Sequence, residues 1–322
     1  MGVRLVSTIY HYCSPEVFDL VMRNKTLRLS DLDKTNDYLE KEWGGHLIEK
    51  VLNDELQRDS IQIDLRKQYC YPDECQNHIE YLKKSFLYYR RKQSLISCLS
   101  YEGDDLGQWR GYGQDGHGLA IGFDYRKMSR LFNLSDKVEM KEVIYKSEKQ
   151  QRELANRAIK PALDYMRTMF ENYILRNTDD YNEFFEEEFD TFTEVVVEEL
   201  AKVVSYIKNP AFEAEKEVRI IYHTNIGNFE DDDEEILETF QKQTVIGAKK
   251  QFALSPVNFQ FRNNKLVSYA DLSFDNMIDK GIITEIVIGP KSDIKEKDLF
   301  YYLIANGYGR NVNVRKSNAS YR

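Results

Sequence analysis

The stretch from Ser94 to Phe123 constrains this chain more than any other. Ser94 to Ser100 and Gly118 to Phe123 are short apolar runs of strand character, and six glycines from Gly103 to Gly118 lie around the run Gln108-Trp109-Arg110-Gly111-Tyr112-Gly113 between them. Glycine lets a backbone take positive φ or pass close to a ligand, so two strands are expected to hold one working loop. Upstream, Leu5 to Tyr12 reads as a strand because Val, Thr, Ile and Tyr suit a pleated, half-buried surface. Ser14 and Pro15 then open a helix as N-cap and first helical residue. The helix Pro15 to Asn24 carries Val17, Leu20 and Val21, and Thr26 to Ser30 returns as a second strand.

The remaining patterns alternate between helix and sheet. Leu47, Ile48, Val51, Leu52 and Leu56 have amphipathic helical spacing, as do the apolar positions between Leu154 and Val196. Strand character returns at Val218 to Tyr222, Gln251 to Phe261, Leu266 to Tyr269 and Ile282 to Ile288, with Asn263-Asn264 as a turn. The expected fold is therefore α+β, a central mixed or split β-sheet with helical insertions at about 31–92 and 150–208. No internal repeat or low-complexity linker divides residues 1–322, so a single domain is expected.

Composition excludes some functions and weakens others. No window approaches the roughly 20 apolar residues of a membrane span, and the polar Ser7 and Thr8 interrupt any leader-like apolar run, so a cytoplasmic protein without membrane contact is expected. Cys13, Cys70, Cys75 and Cys98 are few for 322 residues, which fits a reducing compartment. Cys70, Cys75 and His78 lack a second paired cluster, so no metal is expected. Net charge is 45 − 54 = −9, and ten carboxylates without one basic residue lie between Asn177 and Ala201. Phosphate contact must then be local. The expected place is Lys83, Lys84, Arg90, Arg91 and Lys92, interleaved with Phe86, Tyr88 and Tyr89, although such a run also serves as a solvated helix face.

Three segments combine polar and aromatic residues. In the first, Tyr10-His11-Tyr12-Cys13-Ser14, His11 ends a strand just before a helix N-terminus, where free N–H groups favour anions; a histidine bonded to a backbone carbonyl is the plainer alternative. The second spans Ser97 to Gly118 and holds Ser97, Ser100, Asp104, Asp105, Gln108, Trp109, Arg110, Tyr112, Asp115 and His117. Trp109 and Tyr112, three apart, would share a helical face and stack on a heterocycle, and Arg110 offers a fork for a phosphate or carboxylate. Trp109 would equally serve as a core anchor. In the third, Phe212 to Ile221, an extended chain would turn Glu213, Glu215 and Glu217 to one side; a solvated segment before the strand, with Glu217 paired to a neighbouring Arg or Lys, is the plainer alternative. Asp31, Asp33, Asn36, Asp37 and Glu40 either ligate a divalent ion or cap the following helix.

Taken in order, these stretches resemble the bacterial family filed as domain of unknown function 2971. The residues that carry the likeness are Tyr10 to Ser14, Leu27 to Ser30 with Asn36, Asp37 and Glu40, Ser97 to Ser100, Trp109 to Gly113 with Gly118, Glu215 to Arg219, Ile286 to Lys291 and Ser317 to Arg322. More distantly the order of histidine, aromatic and glutamate resembles the ADP-ribosyltransferase-like fold. That resemblance implies NAD as substrate, with His11 on the nicotinamide ribose and Trp109 or Tyr112 stacking, Tyr12 competing for that role. It further implies that Glu217 or Glu215 stabilises oxocarbenium character. Ser100 and Arg110 would complete the nucleotide contacts. The leading expectation is an NAD-consuming enzyme, transferring ADP-ribose to a macromolecule or hydrolysing NAD, in phage defence or as a toxin effector. Two alternatives stay open. One is a metal-dependent nuclease using Asp37, Glu40, Glu215 and Glu217, and the other a non-catalytic nucleotide- or peptide-binding module.

Overall fold

Six strands carry the centre of the fold, and their sequences alternate or run apolar as buried strands must. The computed structural model describes residues 8–34, 93–132, 137–161, 199–200, 202–224, 233–246, 250–262 and 264–321, with scattered positions between 43 and 54. The strands are β1 Thr8–Cys13, β2 Thr26–Asp31, β3 Ser94–Ser100, β4 Leu119–Asp124, β5 Val138–Glu142, β6 Glu217–His223, β7 Thr244–Ile246, β8 Phe252–Leu254, β9 Asn258–Arg262, β10 Lys265–Ser273, β11 Ile283–Ile288 and β12 Asn313–Lys316. The helices are α1 Pro15–Asn24, α2 Leu106–Gly111, α3 Tyr125–Phe132, α4 Ser147–Leu154, α5 Asp233–Gln241 and α6 Glu296–Ala305. The fold is α+β, built on one twelve-stranded mixed sheet. Only β11 and β12 pair in parallel, joined through α6; the other ladders are antiparallel.

The sheet forks at β3. Along one side β3 pairs with β6 over its whole length, from Ser94↔His223 to Ser100↔Glu217. Its other side is shared by two strands. β1 meets it at Tyr10↔Ser100, while β2 meets it at Ser30↔Ile96 and Asp31↔Leu95. Beyond β1 the sheet continues to β4, β11 and β12, and beyond β2 it continues to β10, β8 and β7. No ladder partner from either arm reaches Cys98, which sits at the base of the fork.

The main core lies on the face to which Ile9, Cys13, Leu27, Leu29, Leu95, Leu99, Val218 and Ile220 point, under α1, α3 and α6. Ser14 caps α1 by accepting from the Val17 amide, with Pro15 following, as the sequence implies. Its buried residues are Phe18, Val21 and Met22, whereas Val17 and Leu20 are exposed. The helix is thus rotated from the expected face, because Phe18 and Met22 outbid the smaller pair for the core. The expected strand from Gln251 to Phe261 is broken at Ser255-Pro256-Val257 into β8 and β9, since proline cannot donate to a ladder. Leu47 and Val51 are buried at helical positions. Most of both helical insertions lies outside the described residues.

A second, smaller cluster sits on the opposite face: Tyr12, Trp109, Ala120 and Val287, with Tyr10 and Ala319 against it. Here the glycines act sterically. A Cβ on Gly118 would stand 2.1 Å from the Cys13 carbonyl oxygen and 2.9 Å from that of Gly113. Both obstacles are main chain and cannot swing aside. Gly118→Ala is expected to cost about 3 kcal/mol or more in denaturant unfolding, the upper range for overpacking; a loss under about 1 kcal/mol would contradict this close approach.

Candidate functional site at the sheet fork

His11 occupies the opening between β1 and β3. Alternation along β1 assigns it to the side of Ile9 and Cys13, away from Tyr10 and Tyr12. Its imidazole Nδ1 lies 3.1 Å from the Cys98 carbonyl oxygen. A carbonyl only accepts, so Nδ1 carries the proton and Nε2 is left as an acceptor. Burial lowers the His11 pKa below its ordinary value, against the opposing pull of that carbonyl. The ring is therefore neutral at physiological pH.

The loop after β3 is held by its own side chains. Asp105 caps α2 by accepting from the Gln108 amide, and Tyr12 Oη accepts from the Asp105 amide while donating to the Glu102 carbonyl. Trp109 points inward, 0% exposed, edge-on to Tyr12 at 4.7 Å between ring centroids. Its indole donates to Asp104 Oδ1 at 2.8 Å. Asp104 also accepts from Ser317 Oγ and the Asn318 amide and pairs with Arg315, so segment 317–319 is fastened over the tryptophan. Asp115, at φ 52°, accepts from Tyr321 and Lys291 and ties residue 321 to the same loop. The helix ends at Gly111, which turns Tyr112 out of the face of Trp109, 39% exposed.

The carboxylates come from the turn into β6. Asn209 caps a 3-10 helix, Pro210–Glu215, and Lys216 takes a left-handed conformation before β6 begins. The extended segment expected from sequence is therefore absent, and Glu213, exposed, does not join the other two. Glu215 accepts from Tyr112 Oη at 3.0 Å and from Lys208 Nζ at 2.7 Å. Its main-chain carbonyl accepts from Ser100 Oγ at 2.8 Å, which fastens the turn to β3. Glu217 is buried and paired at both oxygens with Arg219, at 2.7 and 3.1 Å, and with Lys208 at 3.3 Å. Arg219 also donates to the Ser205 carbonyl, and the Glu217 amide donates to Tyr145 Oη. Burial opposes ionisation of Glu217, but Arg219 and then Lys208 outweigh it and hold the carboxyl at about 2.

Cys98 joins these groups into one site. Its side chain is exposed yet recessed on the face that Arg219 and Glu217 share. Desolvation by the surrounding protein, and then repulsion from Glu217, push its thiol well above the ordinary value. It stays protonated and is no nucleophile at neutral pH. Desolvation and then Glu215 likewise push the Tyr112 hydroxyl up, so it remains a donor.

The structure thus gathers Tyr112, Ser100, Glu215 and Glu217 around Cys98, whereas His11 meets the same strand only at the Cys98 carbonyl, its side chain on the opposite sheet face with Ile9 and Cys13. Trp109 and Tyr12 lie beneath the loop as its anchors, and their buried rings offer no face for stacking. Arg110 is exposed, close enough to Asp115 to lower its carboxyl alongside Lys291 and Tyr321. Asp37, Glu40 and the patch from Lys83 to Lys92 lie outside the described residues. Sequence reasoning missed Cys98, Lys208, Arg219 and Tyr145. Arg219 had a readable signal, a charge two residues after Glu217 and therefore on the same strand face; Lys208 and Tyr145 had none, because only folding brings them there. Among the described residues no group of three His, Cys, Asp or Glu could hold a metal ion, and Lys208 stands where a cation between Glu215 and Glu217 would go. No helix among the described residues is long and apolar enough to cross a membrane.

Residues 108–220 match the family model described as protein of unknown function (DUF2971). That stretch starts within α2 and ends in β6, so it contains Trp109, Tyr112, Lys208, Glu215, Glu217 and Arg219. No curated protein and no solved structure matches the chain.

Proposed function

We propose that this chain is an NAD-consuming enzyme that transfers ADP-ribose to a macromolecular acceptor or to water, and that Glu215 is its working carboxylate. The observation that carries this reading is the setting of Glu215, partly exposed beside the recessed Cys98 and fixed in one place by the Tyr112 hydroxyl and the Lys208 ammonium. Cleavage of the bond between ribose and nicotinamide leaves positive charge on the ribosyl carbon, and a carboxylate held ready stabilises it without reorganising. Nicotinamide leaves with the bonding electron pair. The acceptor oxygen or nitrogen then bonds to the ribosyl carbon, and its proton passes to Glu215. His11, neutral and bonded to the Cys98 carbonyl from the opposite sheet face, braces the main chain of β3 beneath this site. Glu217 has a different part, since Arg219 and Lys208 use its oxygens; it anchors the charges around Glu215.

Incubation of the pure protein with NAD, followed by chromatography of nicotinamide, tests the reading. Release is expected, and Glu215→Gln is expected to slow it by about 100-fold or more, with nicotinamide release compared at a temperature where the variant's melting curve shows it folded, because Lys208, 6% exposed, loses an anion at 2.7 Å. Absence of both nicotinamide release and thermal stabilisation by NAD would sink it. Stabilisation without turnover would instead favour the non-catalytic nucleotide-binding module.

A further inference from the structure

From Thr239 to Ala270 the chain holds Lys242, Lys249, Lys250, Arg262 and Lys265 and not one carboxylate, although Asp and Glu outnumber Lys and Arg by 54 to 45 overall. These charges are spread over 24 residues, and two of them, Arg262 and Lys265, are brought face to face by the β9–β10 hairpin. Its register sets Leu266 opposite Phe261, Ser268 opposite Phe259 and Lys265 opposite Arg262. Alternation therefore turns Phe259, Phe261 and Leu266 to one face and Arg262 and Lys265 to the other. Phe261 is 87% exposed, Phe259 and Leu266 50% each, with Val245 of β7 also exposed.

Two features of this hairpin are costly unless something binds it. Exposed rings that adjoin one another on a strand are not the scattered single residues of an ordinary surface. Like charges directly opposite across two strands are destabilising, and the Lys265–Arg262 pair has no carboxylate in its own segment to relieve it. The nearest acidic strand residue, Asp271, is already bidentate with Arg28. Among the described residues β9 pairs with β10 only, so its outer edge is open to a ligand.

We propose that the β9–β10 hairpin is a binding surface for single-stranded nucleic acid, independent of the chemistry at Cys98 and Glu215. Rings at alternate strand positions stand about 7 Å apart, and Phe261 and the open side of Phe259, whose other side packs on Phe240 at 5.7 Å between centroids, are spaced to take two successive unpaired bases by stacking. The phosphate backbone passes over the hairpin tip to Arg262 and Lys265, whose charge no local carboxylate cancels. An acidic peptide matches the cations but brings nothing for the rings. A bilayer would need rings and cations on the side that meets it, and here they lie on opposite faces.

Anisotropy of a fluorescein-labelled fifteen-nucleotide oligouridylate, titrated with the whole chain at about 50 and 200 mM salt, tests this. Micromolar binding that weakens with salt is expected. The double variant Phe259→Ala, Phe261→Ala should weaken it by at least about tenfold. Arg262→Gln, Lys265→Gln should weaken it and flatten the logarithmic salt dependence by about 0.7 for each cation lost. Arg262, Lys265 and Phe261 are exposed, so the double variant Arg262→Gln, Lys265→Gln and the single variant Phe261→Ala should melt like the parent protein, whereas Phe259→Ala also loses its contact with Phe240. No binding at about 50 mM salt, or binding that neither variant alters, would overturn the proposal. So would binding of polyglutamate or of anionic vesicles without the oligonucleotide, which would give the surface to an acidic protein or a bilayer. None of these outcomes depends on NAD turnover.

Discussion

Glu217→Gln is expected to unfold far more easily than the parent protein, by about 3–5 kcal/mol at pH 7, the range for removing one partner of a buried ion pair. The reason lies in what stays behind. Arg219 is 1% exposed and Lys208 6%, and both use Glu217 as a counter-charge. Gln keeps the shape but not the charge, so a buried guanidinium is left with one fewer anion to offset its desolvation. The same carboxylate ties stability to acid. Its folded pKa of about 2 lies below the unfolded value of 4.5, so its contribution is complete above about pH 4.5 and is lost as pH falls toward 2. That shift corresponds to about 3 kcal/mol. Denaturant midpoints at pH 7, 4.5 and 3 should therefore fall steeply for the parent and less for Glu217→Gln. A variant within about 1 kcal/mol of the parent at pH 7 would refute the anchoring role. Any loss of the proposed nicotinamide release in this variant is therefore to be read against its unfolding curve.

Trp109→Ala is the second large loss, about 3–5 kcal/mol for a buried aromatic cut to a methyl. The ring is wholly enclosed by Tyr12, Ala120, Val287 and Ala319, and Gly113 lies so close that a Cβ there would meet the indole at 2.6 Å. A cavity at this point has no neighbour free to fill it. Trp109→Phe keeps most of the apolar contact and loses the hydrogen bond to Asp104, so it should cost about 1–2 kcal/mol. Measured by urea unfolding, the order Ala far below Phe is expected. If both variants matched the parent in stability and changed only ligand affinity, Trp109 would be a stacking surface and not an anchor. Because the 317–319 segment is fastened to the same Asp104, loss of the ring should also loosen residues 317–321, seen as faster amide exchange there.

Much of the local structure was legible because it rests on short-range chemistry. Ser14 before Pro15 started α1 where a cap and a pre-set φ demand it, and the run Ser94 to Ser100 became β3 with the same ends. Where the sequence marks a turn, Asn264 sits at φ 58°, a conformation asparagine tolerates. Other elements escaped. β12 has only four residues and an exposed or half-exposed pattern, and it pairs because β11 offers it an edge. The turn at Glu213 to Lys216 reads as extended in isolation, yet the Asn209 cap and Pro210 wind it into a 3-10 helix.

By itself the sequence determined the class of the fold, the strand and helix starts that caps and prolines dictate, and the placing of Tyr112, Glu215 and Glu217 in segments that combine polar and aromatic residues. Only the tertiary structure decided how that chemistry is divided. Trp109 and Tyr112 are three residues apart, but burial took one ring into the core and the end of α2 turned the other outward. Glu215 and Glu217 are two apart, but Arg219 on the same strand and Lys208, brought in by folding, bury one as an anchor, while the other stays partly open. Exposure, and the counter-charge that Lys208 supplies, depend on how distant segments pack, and no local pattern encodes them. The loop between the two strands therefore presents Tyr112 at its rim, while its tryptophan holds it down.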